Sequence, residues 1–333
     1  MPVMVESAGT SPRTDSRILR GQAWLSEFHW DVSMDWFPVA GDASNRRYFR
    51  VRVDGEVRVV MDAPSAKESC AAFLDICERL RSAGLHAPEI LRYDLDLGYI
   101  LLEDLGRDLY RDLVNKTNVE PLFEEVFAAL AVLATDISAD GLPGYDEVTL
   151  HDDLNLFTDH YLVRHLDYTM THRQRMAWPI FCDQVISAIK EQPRVFVHKD
   201  IHSCNLIRTQ AINPGIIDFQ DAINGPLTYD FVSLIWDRYI PWSRDQLERW
   251  MEQFRLMVAP DTDPQKWVYW CDLTGLQRNI RIVGRFAQLL HSEGKKGYIE
   301  MIPRFYQYIL DVLPYYPQFS EIDEWLRSDQ CAP

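Results

Sequence analysis

A chain of 333 residues with 34 Lys and Arg against 50 Asp and Glu carries a formal charge of −16, a field that repels nucleic-acid phosphates and anionic lipid headgroups. Apolar residues make up 47% and charged residues 25%, the balance of an ordinary globular protein, and the length suits one large domain or two lobes. Met1 to Arg20 holds no signal-like apolar stretch, no apolar run nears a membrane span, and six scattered cysteines form no C-x-x-C pair, so no membrane, zinc or disulfide framework is expected and the cytoplasm is.

Residues 1–17 read as a polar, flexible lead-in, and Ile18 to Phe28 has helical spacing. Arg47–Val53 and Val57–Met61 are alternating, β-rich runs joined by Asp54-Gly55, which predicts an antiparallel hairpin. Pro64–Ala83 follows as an amphipathic helix with Ala72, Phe73, Ile76 and Leu80 on one face and Gly84 past its end. Tyr99 to Leu102 is a short buried strand leading into Glu103-Asp104-Leu105-Gly106. From Leu109 the pattern is mainly helical: Val119–Thr135, Asn155–Leu166, Arg173–Lys190 and long segments after Gln246. Val195–His198 and Gly215–Phe219 interrupt it as short strands flanking Ile201 to Thr209, an embedded β-hairpin pair. The order is that of an α+β, bilobal fold: a small antiparallel N-lobe over 18–102, then a hinge and helical C-lobe over 103–333.

The chemistry concentrates in His198-Lys199-Asp200-Ile201-His202-Ser203-Cys204-Asn205, followed by a strand ending at Asp218. Phosphoryl transfer needs one carboxylate to orient the attacking hydroxyl and take its proton, and oxygen ligands to hold Mg²⁺ against the phosphates. The spacing H-x-D-x-x-x-x-N before a strand-borne Asp meets that demand. Asp200 is the expected catalytic carboxylate, Asn205 and Asp218 the metal ligands, and His198 a brace for the loop. Singly, each residue has a plainer explanation as a turn former or cap; together, between two apolar strands, they point to a kinase-type centre. His198 and His202 lack the third nitrogen or thiolate that a zinc site would want.

With Asp218-Phe-Gln-Asp221 and Gly225-Pro-Leu-Thr-Tyr-Asp230-Phe-Val added, the chain resembles the aminoglycoside phosphotransferase family of kinase-like enzymes over roughly residues 37–305. The resemblance implies a protein-kinase-like fold, ATP and Mg²⁺ as cofactors, and a small-molecule acceptor met by a monomer. It also implies that Asp230 buttresses the catalytic loop, although Asp230 could equally cap the helix after it. Within the family, Gly41 to Arg50, Val59-Val-Met-Asp-Ala-Pro64, Leu101 to Gly106 and Leu276-Gln-Arg278 are similar to bacterial anomeric kinases of N-acetylmuramate and N-acetylglucosamine. That likeness implies phosphate transfer to the C1 hydroxyl of a sugar during peptidoglycan recycling.

By the same resemblance, the backbone of Glu103 and Leu105 meets adenine, while Ser44 in the turn Gly41–Asn45 and Arg47 lie by the phosphates. A plain interlobe linker and an ordinary hairpin turn would look alike. One departure is clear: Met61 stands where the strand lysine that grips phosphates belongs. Arg46, Arg47, Arg50 and Lys67 are the candidate replacements, and the sequence does not choose among them. Arg278, Arg281 and Arg285 share a helix face, and Arg278 is the expected acceptor contact because a guanidinium fork matches a carboxylate, while a surface ion-pair face would show the same spacing. Trp236, Trp242, Trp267 and Trp270 could stack on a sugar, but core packing is the default for each. The alternatives are a kinase of another small alcohol (aminoglycoside, choline or homoserine) and a catalytically silent binding protein on a kinase scaffold.

Overall fold

The structure is a computed structural model that describes residues 15–33, 35–39, 46–63, 67–328 and 330–333. It divides into two compact units, one of residues 1–108 with 207–220 and one of residues 109–206 with 221–333.

In the first unit, α1 (Ser16–Ser26) starts at Asp15, whose carboxylate accepts the Arg17 and Ile18 N–H groups that the helix itself leaves unpaired. The sheet comprises β1 (Phe37–Pro38), β2 (Arg47–Val53), β3 (Glu56–Asp62), β4 (Ile90–Asp94) and β5 (Tyr99–Glu103), in the antiparallel order β1-β2-β3-β5-β4. The expected hairpin is present: Asp54 and Gly55 both take left-handed backbone angles, as a two-residue turn between right-twisted strands requires. The expected helix after it is α2 (Lys67–Ser82), the residues before 67 lying outside the described ones.

Strand register sorts the side chains into two faces, because directly opposed residues share a face. Phe49 opposes Val60, which opposes Leu101; with Val51, Val53 and Tyr99 this face packs on Trp24 and Leu25 of α1. The Trp24 and Tyr99 rings stack at 5.6 Å. The other face carries Tyr48 opposite Met61 opposite Ile100.

The unit boundary falls at Asp108 rather than at 102, and the segment 207–220 joins the sheet unit rather than the helical one. Local contacts explain the difference. Gly215 bridges His86, the His86 ring meets the Ile212 carbonyl at 2.9 Å, and Phe219 packs on Phe73 with centroids 4.7 Å apart.

The second unit holds α3 (Tyr110–Leu113), α4 (Val119–Thr135), α5 (Glu147–Leu156), α6 (His172–Lys190), α7 (Tyr229–Ile235), α8 (Arg244–Val258), α9 (Pro264–Glu293), α10 (Ile302–Val312) and α11 (Ser320–Leu326). α5 runs into a π-helical segment, Phe157–His165, so the expected helix at 155–166 straddles a change of winding. At that junction α9 comes close: a Cβ on Gly284 would lie 2.3–2.5 Å from the backbone of Leu156 and Phe157. α9 presses on the chain there, and only glycine permits it.

The two short strands expected at 195–198 and 215–219 do not pair with each other. β6 (Arg194–Val197) pairs with β9 (Ile223–Pro226), and β7 (Leu206–Ile207) with β8 (Gly215–Ile216). Trp236, Trp267 and Trp270 are buried in the core, as their default predicts. All six thiols are unpaired, and no helix among the described residues is long and apolar enough to cross a membrane.

Candidate active site

The segment after β6 is held by two acids, one in α7 and one just past its end. Asp230, in the first turn of α7, accepts the backbone N–H groups of His198 (2.6 Å) and Lys199 (2.9 Å). Burial drives its carboxyl up to about 7, an effect that these two N–H bonds oppose. Asp237, two residues past the end of α7, accepts the N–H of Ser203 at 2.9 Å and its hydroxyl as well. The loop between them is thus fixed at both ends by side-chain carboxylates rather than by a sheet ladder.

Asp200 projects from this frame with 46% of its side chain exposed. His202, almost fully buried, places Nε2 3.4 Å from one Asp200 oxygen, and Asn205 donates Nδ2 to the Asp200 carbonyl at 2.9 Å and to its other carboxylate oxygen at 3.3 Å. Burial opposes ionisation of Asp200, but the hydrogen bond and charge of His202, then His198 and Arg278, outweigh it and hold the carboxyl well below the usual range. Burial lowers the His202 imidazole in turn, yet Asp200 and Cys204 push it up to about 9. The product is an imidazolium–carboxylate pair with the carboxylate outermost. The N–H of Asp200 bonds His198 Nδ1 at 3.3 Å, which supports a bracing role for that buried ring.

Behind this pair, Arg278 lies buried on α9 with no hydrogen bond to any described residue; its charge sees Tyr229, Asp200 and Asp237. The Tyr229 hydroxyl, wholly buried, is likewise without a partner. The three arginines of the shared face separate by depth. Arg281 places Nε 3.0 Å from Asp153, whereas Arg285 bonds Gln288 and Glu293 at the surface and contributes nothing here.

In the sheet unit, Asp218 sits just beyond β8 in a left-handed conformation, with Gln220 donating to Oδ1 at 2.8 Å. Tyr48, buried and pushed up to about 12, senses the charges of both Arg46 and Asp218 and bonds the Arg46 side chain. Arg46 precedes Tyr48 by two residues, on the side of the sheet where Met61 points. The expectation for Arg47 is corrected: it faces the opposite side, where it pairs with Asp62 and Asp15. Arg50 is also committed, with Nε 2.6 Å and Nη2 3.0 Å from the Asp104 carboxylate. Ser44 lies outside the described residues, as does the turn around it, and so does the side chain of Lys67. At the hinge, the Glu103 N–H is spent on the Glu89 carbonyl, and the Leu105 N–H has no backbone partner among the described residues.

No three His, Cys, Asp or Glu side chains gather as a metal cage among the described residues. The Asn205 amide in one unit and the Asp218 carboxylate in the other each offer a hard oxygen of the kind Mg²⁺ prefers.

The sequence missed Asp237, which lies past the end of α7 and so shares no helical spacing with Asp230. It also passed over His202, read there only as half of a weak metal pair, and Lys199, whose interest comes from its backbone angle.

The sheet unit, the hinge and a helix-anchored loop bearing Asp200 and Asn205 define a kinase-like phosphotransferase. A model of the phosphotransferase enzyme family matches residues 35–266, well over half the chain. The chain belongs to that family. It is 37% identical over 296 residues to the N-acetylmuramate/N-acetylglucosamine kinase of Pseudomonas aeruginosa, covering 87% of each chain. It is 34% identical to the enzyme of that description from Pseudomonas putida, covering 96% of this chain and 99% of the relative. Among solved structures it is similar to the choline kinase LicA of Streptococcus pneumoniae (TM-score 0.61, 12% identity, 89% of this chain and 100% of that one). It is also similar to ADP-bound aminoglycoside phosphotransferase APH(2'')-Ib (0.58, 13%, 89% and 97%). At such identities these two speak for the fold alone.

Proposed function

We propose that this protein transfers the γ-phosphate of ATP to the anomeric C1 hydroxyl of N-acetylmuramate, N-acetylglucosamine or both, forming a sugar 1-phosphate in cell-wall recycling. The observation that carries the reading is the Asp200 carboxylate, held ionised by His202 on a loop pinned by Asp230 and Asp237, in a chain whose relatives bear that enzyme description.

Asp200 accepts the hydrogen bond of the attacking hydroxyl and orients it in line. So weak a base takes the proton late, as a loose phosphoryl-transfer transition state allows. The anomeric hydroxyl suits it, since the ring oxygen withdraws electron density and makes this hydroxyl more acidic than the others. Asn205 and Asp218 would each supply an oxygen to Mg²⁺, which neutralises phosphate charge. The Glu103 carbonyl and Leu105 N–H would meet the adenine edge. Arg46 takes the place of the missing strand lysine, because Arg47 and Arg50 are spent on carboxylates and Arg46 lies within electrical reach of Asp218 through Tyr48. Arg278 steadies the charge of Asp200 from behind and, with Tyr229, offers donors to acceptor oxygens. The protein would act as a monomer in the cytoplasm, where ATP is available.

Phosphorus NMR of the product from each sugar with Mg²⁺-ATP tests the reading: a signal coupled to the anomeric proton is expected. Turnover of choline, homoserine or an aminoglycoside, with neither amino sugar consumed, would sink it.

A further inference from the structure

Lys199 precedes the catalytic carboxylate by one residue and holds a φ of +78°. Glycine adopts that conformation without cost, whereas a lysine Cβ is crowded there. A side chain kept under strain beside a reacting group points to a use for it. Its ammonium is half-buried, yet it makes no hydrogen bond or ion pair with any described residue. Burial and then the neighbouring Arg281 destabilise its charge, while Asp153, Asp221 and Asp200 attract it.

Arg281 completes the arrangement. Asp153, which also takes the Tyr145 hydroxyl, anchors its Nε at 3.0 Å, and 27% of the side chain remains open to solvent. Of the nearby carboxylates, Asp200 is matched by His202, so Lys199 and Arg281, with the buried Arg278 behind them, stand against Asp153 and Asp221. A wall with a surplus of positive charge, in a chain of charge −16, suits an anionic group on the acceptor. Arg278, by contrast, is only 5% exposed and better placed to act on Asp200 than to receive a ligand's carboxylate.

We propose that Lys199 and Arg281 together bind the carboxylate of an acidic amino sugar, and so set the preference for N-acetylmuramate over N-acetylglucosamine. The two sugars differ in the lactyl group on C3, and one pyranose ring separates that group from the anomeric hydroxyl met by Asp200. A lysine adjacent in sequence to Asp200 has the reach to span the ring. This inference rests on the amino-sugar reading above.

The decisive comparison is K199G against wild type with both sugars at saturating Mg²⁺-ATP. A charge-assisted contact is lost, so the ratio of kcat/KM for N-acetylmuramate over N-acetylglucosamine should fall about tenfold, mainly through KM. K199R should restore most of the ratio. The melting temperature of K199G should match or exceed wild type, since glycine relieves the left-handed residue; this separates loss of recognition from loss of fold. Equal losses with both sugars would overturn the inference, as would a raised KM for ATP in place of the sugar effect, which would make Lys199 a phosphate contact. Wild-type enzyme that turned over neither sugar would remove the amino-sugar reading itself, a different outcome from a ratio that stays put.

Discussion

Asp62 in the sheet unit and Asp200 in the helical unit both sit within knots of charge, but the knots are closed in different ways. Asp62 is almost wholly buried, and two guanidiniums, from Arg17 and Arg47, grip it from both sides with further bonds to Leu97 and Asp15. Every charge there has its partner within the protein. Around Asp200, by contrast, Arg278 and Lys199 have no hydrogen-bonding partner for their charged groups among the described residues, and the Tyr229 hydroxyl has none there either. Burying an uncompensated cation opposes folding, so an arrangement of this kind is tolerated where a ligand completes it. Closed charge serves the fold and open charge serves the reaction.

Substitutions can break that comparison. Asp200→Ala should lower kcat by about a thousandfold while moving the unfolding midpoint little, because the carboxylate is half exposed. Coupled ADP-release kinetics beside urea titration would check both halves, and retention of most activity would refute the assignment of Asp200. Asp62→Ala should do the reverse. Leaving two guanidiniums without their shared carboxylate costs about 3–5 kcal/mol of stability, with kcat per folded molecule close to wild type.

Subtler effects sharpen the contrast. His202, raised to about 9 in the folded protein from the ordinary imidazole value of 6.5, binds a proton more tightly folded than unfolded. Its stabilisation is therefore complete below pH 6.5 and lost as pH climbs through 9, about 2–3 kcal/mol in all. Urea midpoints across that window should decline for wild type and stay flat for His202→Asn. Arg46→Ala should raise KM for ATP about tenfold with little change in stability, whereas Arg47→Ala should lower stability and spare KM. If the two arginines exchanged these signatures, the face assignment from strand register would be wrong.

Much of this was legible in the chain. The Asp54-Gly55 hairpin, the helix at Val119–Thr135 and the spacing of Asp200, Asn205 and Asp218 follow from local rules of turn chemistry, periodicity and phosphoryl transfer. The failures came where distant residues decide. Arg47 looked as available as Arg46 because a sequence does not reveal which face of a sheet is already occupied by an acid, here Asp62. The pairing of β6 with β9 rather than with the strand at Gly215 is a tertiary choice of the same sort. Lys199 drew no notice because only a backbone angle distinguishes it from any other surface lysine.

Gly284 bears on all the acceptor-side residues, although it touches none of them. α9 carries Gln277, Arg278 and Arg281, and Gly284 sets how closely that helix lies against Leu156 and Phe157. The missing side chain works as a gauge, holding the depth at which α9 carries Arg278 and Arg281. An added methyl would have to tilt or lift a 30-residue rod, and catalysis is sensitive to displacements of about an ångström. On the proposed reading, acceptor specificity is calibrated partly from outside the site, by the thickness of a helix crossing.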